Sequence, residues 1–559
     1  MTSISSTAGP VAFRSFRLHR PLGVLGWTAI AFAAAMLVPI AAVVGNVFAQ
    51  GGTAWSHLVD TVLAEYIFNT GALLVGVAYG VVSIGVLSAW LVTAYRFPGH
   101  RVLEWALILP LAMPAYVMAY AYTDWLQFTG PVQTLLRELT GWRPREYWFP
   151  EIRSLGGAMA VLSFALYPYV YLLARAAFLD QSRASGESAR LLGYGAWGTF
   201  FKVSLPLARP GIAAGTALAL METLADFGAV SYFAVQTFTT GVYSAWFSLG
   251  DAVAAGQLAS CLLAFVAVVL LVERVTRGNA RYHNVTMRKR APAQQLRGFA
   301  AFAAFCACFA PFLFGFLLPV GILGKLAWDE GAGLSPRVLS LVGNTFTLAG
   351  TTASIAIVVA TMMAYAGRIS RSPFVWAANR LSSLGYAIPG AVIAVGILVP
   401  LGKLDNLFAD WLRAEFGWTT GLLFTGTVAA LLYAYLVRFL AVALQSVEAG
   451  LDRITPSMDD AARSLGLGPG ETLAKVHAPM LWGSLLSAGL LVFVDVMKEL
   501  PATFAMRPFN FDTLAVEIHN LTKDERLGEA AIPSLIIVSI GLIPLIILSK
   551  QMSGRSRSS

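Results

Sequence analysis

Apolar residues run along this chain in long blocks, not with the short periods of a half-buried helix or strand. In the first half the blocks fall near 24–48, 68–94, 102–124, 154–178, 207–234 and 252–273. In the second they fall near 299–325, 343–367, 377–402, 420–444, 480–504 and 531–549. Each is about the 20 residues a helix needs to cross a bilayer. The expected fold class is an all-α polytopic membrane protein with about 12 transmembrane helices, in two homologous sets of six. The expected division is an N-terminal segment 1–23, a first half 24–273, a basic linker 274–298, a second half 299–549 and a tail 550–559. The first block follows Arg14, Arg17 and Arg20 and is too long for an ordinary signal-peptide core, so it reads as an uncleaved first span.

Two of the polar gaps hold the same phrase. Residues 187–206 read Glu187-Ser188-Ala189-Arg190-Leu191-Leu192-Gly193, nine residues, then Val203-Ser204-Leu205-Pro206. Residues 460–479 read Asp460-Ala461-Ala462-Arg463-Ser464-Leu465-Gly466, nine residues, then Val476-His477-Ala478-Pro479. Every matched position is 273 apart, and repeats are the first thing to look for in a long chain. Each copy reads as a short helix, a glycine stop, a second short helix and a proline break. Ser457 and Asp460 have the spacing of a capping box, and Pro469 suits a first helical turn. Asn69-Thr70 and Asn344-Thr345, read as N-caps, repeat at an offset of 275, as do Pro114 and Pro389.

This spacing resembles the EAA loop of permease subunits in binding-protein-dependent ABC importers, a cytoplasmic elbow that docks on the ATPase. The resemblance implies ATPase coupling by Glu187, Ser188, Ala189, Gly193, Leu205 and Pro206, and by Asp460, Ala461, Ala462, Gly466 and Pro479. Ser188, Asp460 and Ala478 depart from the usual Ala, Glu and Leu without removing helix, glycine or proline. A soluble DNA-reading helix-turn-helix can look similar, but membrane-length apolar runs bracket both copies.

Composition agrees with the apolar blocks. Charged residues are 12% of the chain and mean hydropathy is +0.68, whereas soluble domains carry about twice that charge. The net charge of +9 would suggest nucleic acid in a soluble domain. Here Lys and Arg gather in alternate loops: Arg14/Arg17/Arg20, Arg96/Arg101, Arg183/Arg190/Lys202/Arg209, the stretch Arg274 to Arg297, Arg368/Arg371, and Lys550/Arg555/Arg557. The positive-inside rule makes those loops, both termini and both elbows cytoplasmic, and no nucleic-acid partner is expected. The basic linker, with Arg288-Lys289-Arg290, reads as an orienting segment among membrane lipid, in preference to a specific site for anionic headgroups. The long loop 125–153, with Trp125, Trp142, Tyr147 and Trp148, falls outside. Its aromatics could anchor at the interface or face a docking protein.

Chemistry is sparse. Cys261, Cys306 and Cys308 sit in apolar runs as small hydrophobes. The six histidines are scattered without metal-ligand spacing, and His477 reads as part of a solvated elbow face. Gly324-Lys325 lacks the rest of a P-loop, so no catalytic or cofactor site is expected and ATP use falls to a separate subunit. Glu222 and Asp226 in the fifth span, and Asp495 and Glu499 in the eleventh, stand at i and i+4 and again repeat at 273. That spacing puts each pair on one helical face. A carboxylate at the bilayer centre costs about 2.5–3.5 kcal/mol, so the four suggest a pathway, unless Lys498 pairs with Asp495 or Glu499 as a fixed structural partner.

The phrases Glu222-Thr-Leu-Ala-Asp226-Phe-Gly-Ala-Val230 and Asp495-Val-Met-Lys-Glu499-Leu-Pro-Ala-Thr503, with Arg507-Pro508 beyond, resemble fused ferric-ion permeases of ABC importers. This implies two permease halves in a bacterial inner membrane, carrying Fe(III) from an extracytoplasmic iron-binding protein. Two copies of a cytoplasmic P-loop ATPase would drive it. Glu222, Asp226, Asp495 and Glu499 are the candidate metal route, with Tyr167, Tyr169, Tyr433 and Tyr435 near in sequence, and Fe(III) prefers such oxygen ligands. Fused thiamine permeases share the two-elbow plan, so a cationic organic cargo is the alternative. An acid-lined route suits sulfate or phosphonate less well. A secondary transporter with internal repeats or a membrane scaffold leaves the elbows unexplained.

Overall fold

The computed structural model describes residues 23–49, 53–143, 146–181, 189, 191–277, 294–331, 333, 335–370 and 372–557, with backbone alone for 53 and 548–557. Eleven helices among them are long and apolar enough to cross a membrane, and up to twelve if the pair His100–Ala112 and Ala115–Thr140, which meet at 94°, is counted as one span. We label α1 (Val24–Asn46), α2 (Leu63–Ala94), α3 (Ala115–Leu126), α4 (Leu155–Leu179), α5 (Leu205–Ala225) and α6 (Ala252–Arg277). The second half adds α7 (Gly298–Asp329), α8 (Pro336–Ile369), α9 (Gly390–Phe416), α10 (Val428–Leu451), α11 (Ala478–Lys498) and α12 (Leu527–Ile547).

The departures from twelve straight spans come in matched pairs. The third block, 102–124, breaks at Pro114: a 3-10 turn at Leu109–Ala112 leads to Met113, extended at ψ 114°, and α3 begins after the proline. The ninth, 377–402, breaks in the same way at Pro389, after a turn at Gly385–Ala387 and an extended Ile388 at ψ 124°. Proline disfavours helical geometry in the residue before it and clashes with the preceding turn. The fifth and eleventh blocks, 207–234 and 480–504, also stop short. α5 ends at Ala225 with Asp226 extended (ψ 132°), and α11 ends at Lys498 with Glu499 extended (ψ 119°). Short helices Gly228–Tyr232 and Pro501–Met506 follow. Non-helical backbone at membrane depth is tolerated where it is enclosed by protein or lines a cavity.

α2, α4 and α5 pack together, as do α8, α10 and α11. Each set lends its first helix to the other. α1 lies against α8 and α9, with the Tyr433 hydroxyl of α10 donating to its Ala35 carbonyl. α7 lies against α2, α3 and α4, and the Tyr122 hydroxyl donates to its Phe314 carbonyl.

Asn69-Thr70 and Asn344-Thr345 lie inside α2 and α8, so they are not the N-caps of their own helices. Asn69 Nδ2 donates to the Gln236 carbonyl and Asn344 Nδ2 to the Asp512 carbonyl, both at 3.0 Å. The Phe238 N–H reaches Thr70 Oγ1 at 3.4 Å, and the Leu514 N–H reaches Thr345 Oγ1 at 2.9 Å. Each pair thus caps, from a neighbouring span, a short helix starting at Phe238 or Leu514. The long loop 125–153 contains a helix, Pro131–Thr140, closed by the Tyr147 hydroxyl donating to Gln133 Oε1 at 2.8 Å. Of the cysteines, Cys308 is buried, Cys261 half-buried and Cys306 exposed on the apolar outer surface.

Candidate functional site

Both elbows turn at a left-handed glycine, Gly193 at φ +80° and Gly466 at φ +79°. Beyond it the chain closes a six-residue hydrogen bond, Tyr194 N–H to the Ala189 carbonyl (3.0 Å) and Leu467 N–H to the Ala462 carbonyl (3.1 Å). This is the Schellman stop that glycine permits. Ala189 and Ala462 are buried, whereas Ala461 and Asp460 face outward, Asp460 lying 3.7 Å from Arg463. Glu187, Ser188, Arg183, Arg190, Arg371, the N-terminal arginines, linker residues 278–293 and the tail side chains lie outside the described residues.

Three expectations for the elbows are corrected. The capping residue of Pro456–Ser464 is Thr455, with Ser457 inside the helix, so there is no box with Asp460. Pro469 does occupy a first turn, whose Gly468 N–H is held by Glu471 Oε2 at 3.2 Å. Pro206 and Pro479 do not break the chain. Each follows a wide π-turn, Phe200–Ser204 or Leu473–His477, and the helix runs unbroken from Ala196 to Ala225 and from Pro469 to Lys498. The wider turn relieves the clash a proline ring makes in a regular helix. His477 is fully buried rather than solvated: Nε2 lies 2.7 Å from Asp459 Oδ1, and the other Asp459 oxygen accepts from Arg368 Nε at 2.9 Å. The first elbow uses aromatic rings instead, with Trp90 at 5.1 Å from Trp197 and 4.4 Å from Phe200. Leu192 and Leu465, at equivalent positions, stand 76% and 80% exposed. The sequence reading passed over both, although an apolar residue beside the glycine in each repeat was a signal for them.

The four acids found from the repeat all line one cavity of about 130 Å³ between the halves, together with Tyr116, Tyr169, Tyr386, Arg438 and Lys498. They do not share two helical faces, because the second acid of each pair sits in the break. There it caps the short helix that follows: Asp226 Oδ1 accepts from the Val230 N–H at 3.0 Å, and Glu499 accepts from the Ala502 and Thr503 N–H groups at 2.8 and 2.9 Å. A carboxylate at a helix N-terminus is favoured by the exposed amides and the helix dipole. Lys498 lies 3.7 Å from Asp495 and not beside Glu499. Glu499 pairs instead with Arg438, at 3.2 Å, and the same guanidinium reaches Glu222 at 3.9 Å.

Arg438 was missed from sequence, though one arginine inside an apolar 24-residue helix is itself a signal. Of the tyrosines named from sequence only Tyr169 reaches the cavity. Tyr435 hydrogen-bonds Thr503 at 2.7 Å, Tyr433 is committed to α1 and Tyr167 is buried elsewhere. Among the described residues, no three His, Cys, Asp or Glu side chains are grouped closely enough to hold a metal ion.

The sequence profile of the family described as "Binding-protein-dependent transport system inner membrane component" matches residues 81–281. The chain is 26% identical over 498 residues to the Fe(3+)-transport system permease protein FbpB 2 of Haemophilus influenzae, covering 87% of this chain and 90% of that protein. It is 25% identical over 458 residues to the ferric transport system permease protein FbpB of Actinobacillus pleuropneumoniae, covering 77% of this chain and 63% of that protein. It is 30% identical over 194 residues to the molybdenum transport system permease protein ModB of Escherichia coli, covering 34% of this chain and 82% of that protein. With two elbows, a central cavity and these likenesses, the chain belongs to the inner-membrane components of binding-protein-dependent transport systems, as a multi-pass ABC transporter permease.

Proposed function

We propose that this permease imports ferric iron, taking Fe(III) from an extracytoplasmic binding protein. Two copies of a cytoplasmic P-loop ATPase drive it, one docked on each elbow. The observation that carries the reading is the cavity: four carboxylates, two from each half, converge on one space in a chain whose similarity to an Fe(3+) permease extends over 87% of its length. Fe(III) is a hard cation that favours oxygen donors. Arg438 and Lys498 also line the cavity, but acidic side chains outnumber basic ones four to two in its lining, which suits an anionic cargo less well.

In this reading residues 24–273 and 299–549 are the two permease halves, joined by a cytoplasmic linker, with both termini cytoplasmic. Gly193 and Gly466 shape the elbows, and exposed Leu192 and Leu465 supply apolar contacts for the ATPase. Because each elbow helix continues into a span, movement of the ATPase reaches α5 and α11 as a push. The deciding experiment is on the cognate binding protein, by titration with Fe(III), thiamine and sulfate. Tight Fe(III) binding is expected, and tight binding of thiamine or sulfate without Fe(III) would overturn the assignment.

A further inference from the structure

Every acid in the cavity already has a partner. Asp495 has Lys498, whose ammonium also donates to the Leu111 carbonyl at 3.3 Å, and Asp226 has its helix amide. The other two share Arg438. Its guanidinium sits between Glu499 of the second half, at 3.2 Å, and Glu222 of the first half, at 3.9 Å. Arg438 and Glu499 are 7% and 4% exposed, and the buried Arg438 Nε has no hydrogen-bond partner. The pair packs closely against the start of α9: a Cβ at Gly390 would lie 2.6 Å from Glu499 Oε1 and 3.0 Å from Arg438 Nη1.

We propose that Arg438 is a tethered stand-in for the cargo, holding the cation position between Glu222 and Glu499 in the resting permease and leaving it when a metal cation passes. The proposal rests on the reading that the cavity conducts a cation. Leaving buried Glu499 unpaired beside the half-buried Glu222 would be costly, and a bare pair would hold a trivalent ion too tightly to release it, whereas conduction needs binding that is favourable but escapable. Exchange against a built-in guanidinium meets both needs. It also selects by charge, since at equal distance a trivalent ion attracts each carboxylate three times as strongly as the guanidinium does, while a monovalent ion gains nothing over it.

Terbium(III), a hard trivalent probe whose luminescence is sensitised by nearby Tyr and Trp, tests this on the purified permease–ATPase complex without any need for transport. Arg438→Met and Arg438→Gln should each tighten terbium binding at least tenfold over wild type, and adding Glu222→Gln with Glu499→Gln should abolish the gain. Glutamine keeps a hydrogen-bond donor, so Arg438→Gln carries the test if the methionine variant fails to assemble. Unchanged affinity in an assembled variant, or a gain that survives loss of both acids, overturns the proposal. A complex that imports a cation other than iron would still show the tightening. A complex that imports iron without showing it would refute the role of Arg438 alone.

Discussion

A valine at position 466 would have to hold φ near +79°, which costs an L-residue about 1–2 kcal/mol and is worst for a β-branched side chain. The space around Gly193 and Gly466 is open, so the penalty is purely conformational. Gly466→Val should insert normally yet lose co-purifying ATPase and uptake, with Gly193→Val acting alike, while Gly466→Asn keeps both because Asn tolerates the left-handed stop. Wild-type ATPase recovery with Gly466→Val would remove the elbow from coupling.

Glu499 is buried and paired with Arg438. Removing one member of a buried pair costs about 3–5 kcal/mol, and Glu499 also holds two helix amides. Glu499→Ala should therefore sharply lower the thermal midpoint in detergent, and adding Lys498→Met should not restore it, since Lys498 belongs to Asp495. Recovery in that double variant would contradict the pairing described here. The sequence suggested Lys498 because it is adjacent. Arg438 has no counterpart in the repeat, since the positions 275 and 273 residues earlier hold Ser163 and Ala165.

Apolar length located the helices and the repeat located the landmarks, but neither showed where helices stop. Asp226 and Glu499 looked like helical i+4 partners because Ala, Leu, Val and Met precede them. Pro501 and Gly228 just beyond were the local signs of a new start, and they mattered more because the carboxylate could cap it. Pro206 and Pro479 erred in the opposite direction, since a π-turn absorbs each ring. The Asn-Thr pairs were misassigned because their carbonyl and amide partners lie about 168 residues away. Thr345→Val removes the cap on the Leu514 N–H and should cost about 1 kcal/mol of stability. Thr70→Val, whose contact is longer at 3.4 Å, should cost less. Thermal unfolding of the two purified variants checks the order, and a larger loss from Thr70→Val would reverse it.

For the whole molecule, the long apolar blocks foretold the all-helical membrane architecture, whereas the exchange of α1 and α7 between halves left no trace in either half's own pattern. Orientation is tested in a variant whose three native cysteines are replaced. Thr140→Cys should be labelled by an impermeant thiol reagent in intact cells and Val285→Cys should not, with the reverse result inverting the topology. Whether the acid-lined cavity is the route for Fe(III) can be read from ATP-dependent uptake of radioactive iron. Proteoliposomes would hold the permease and its ATPase, supplied with the iron-loaded binding protein. Asp226→Asn with Glu499→Gln is expected to cut uptake by more than tenfold while ATP hydrolysis stimulated by the binding protein persists. Iron uptake at the wild-type rate in that double variant would contradict the claim.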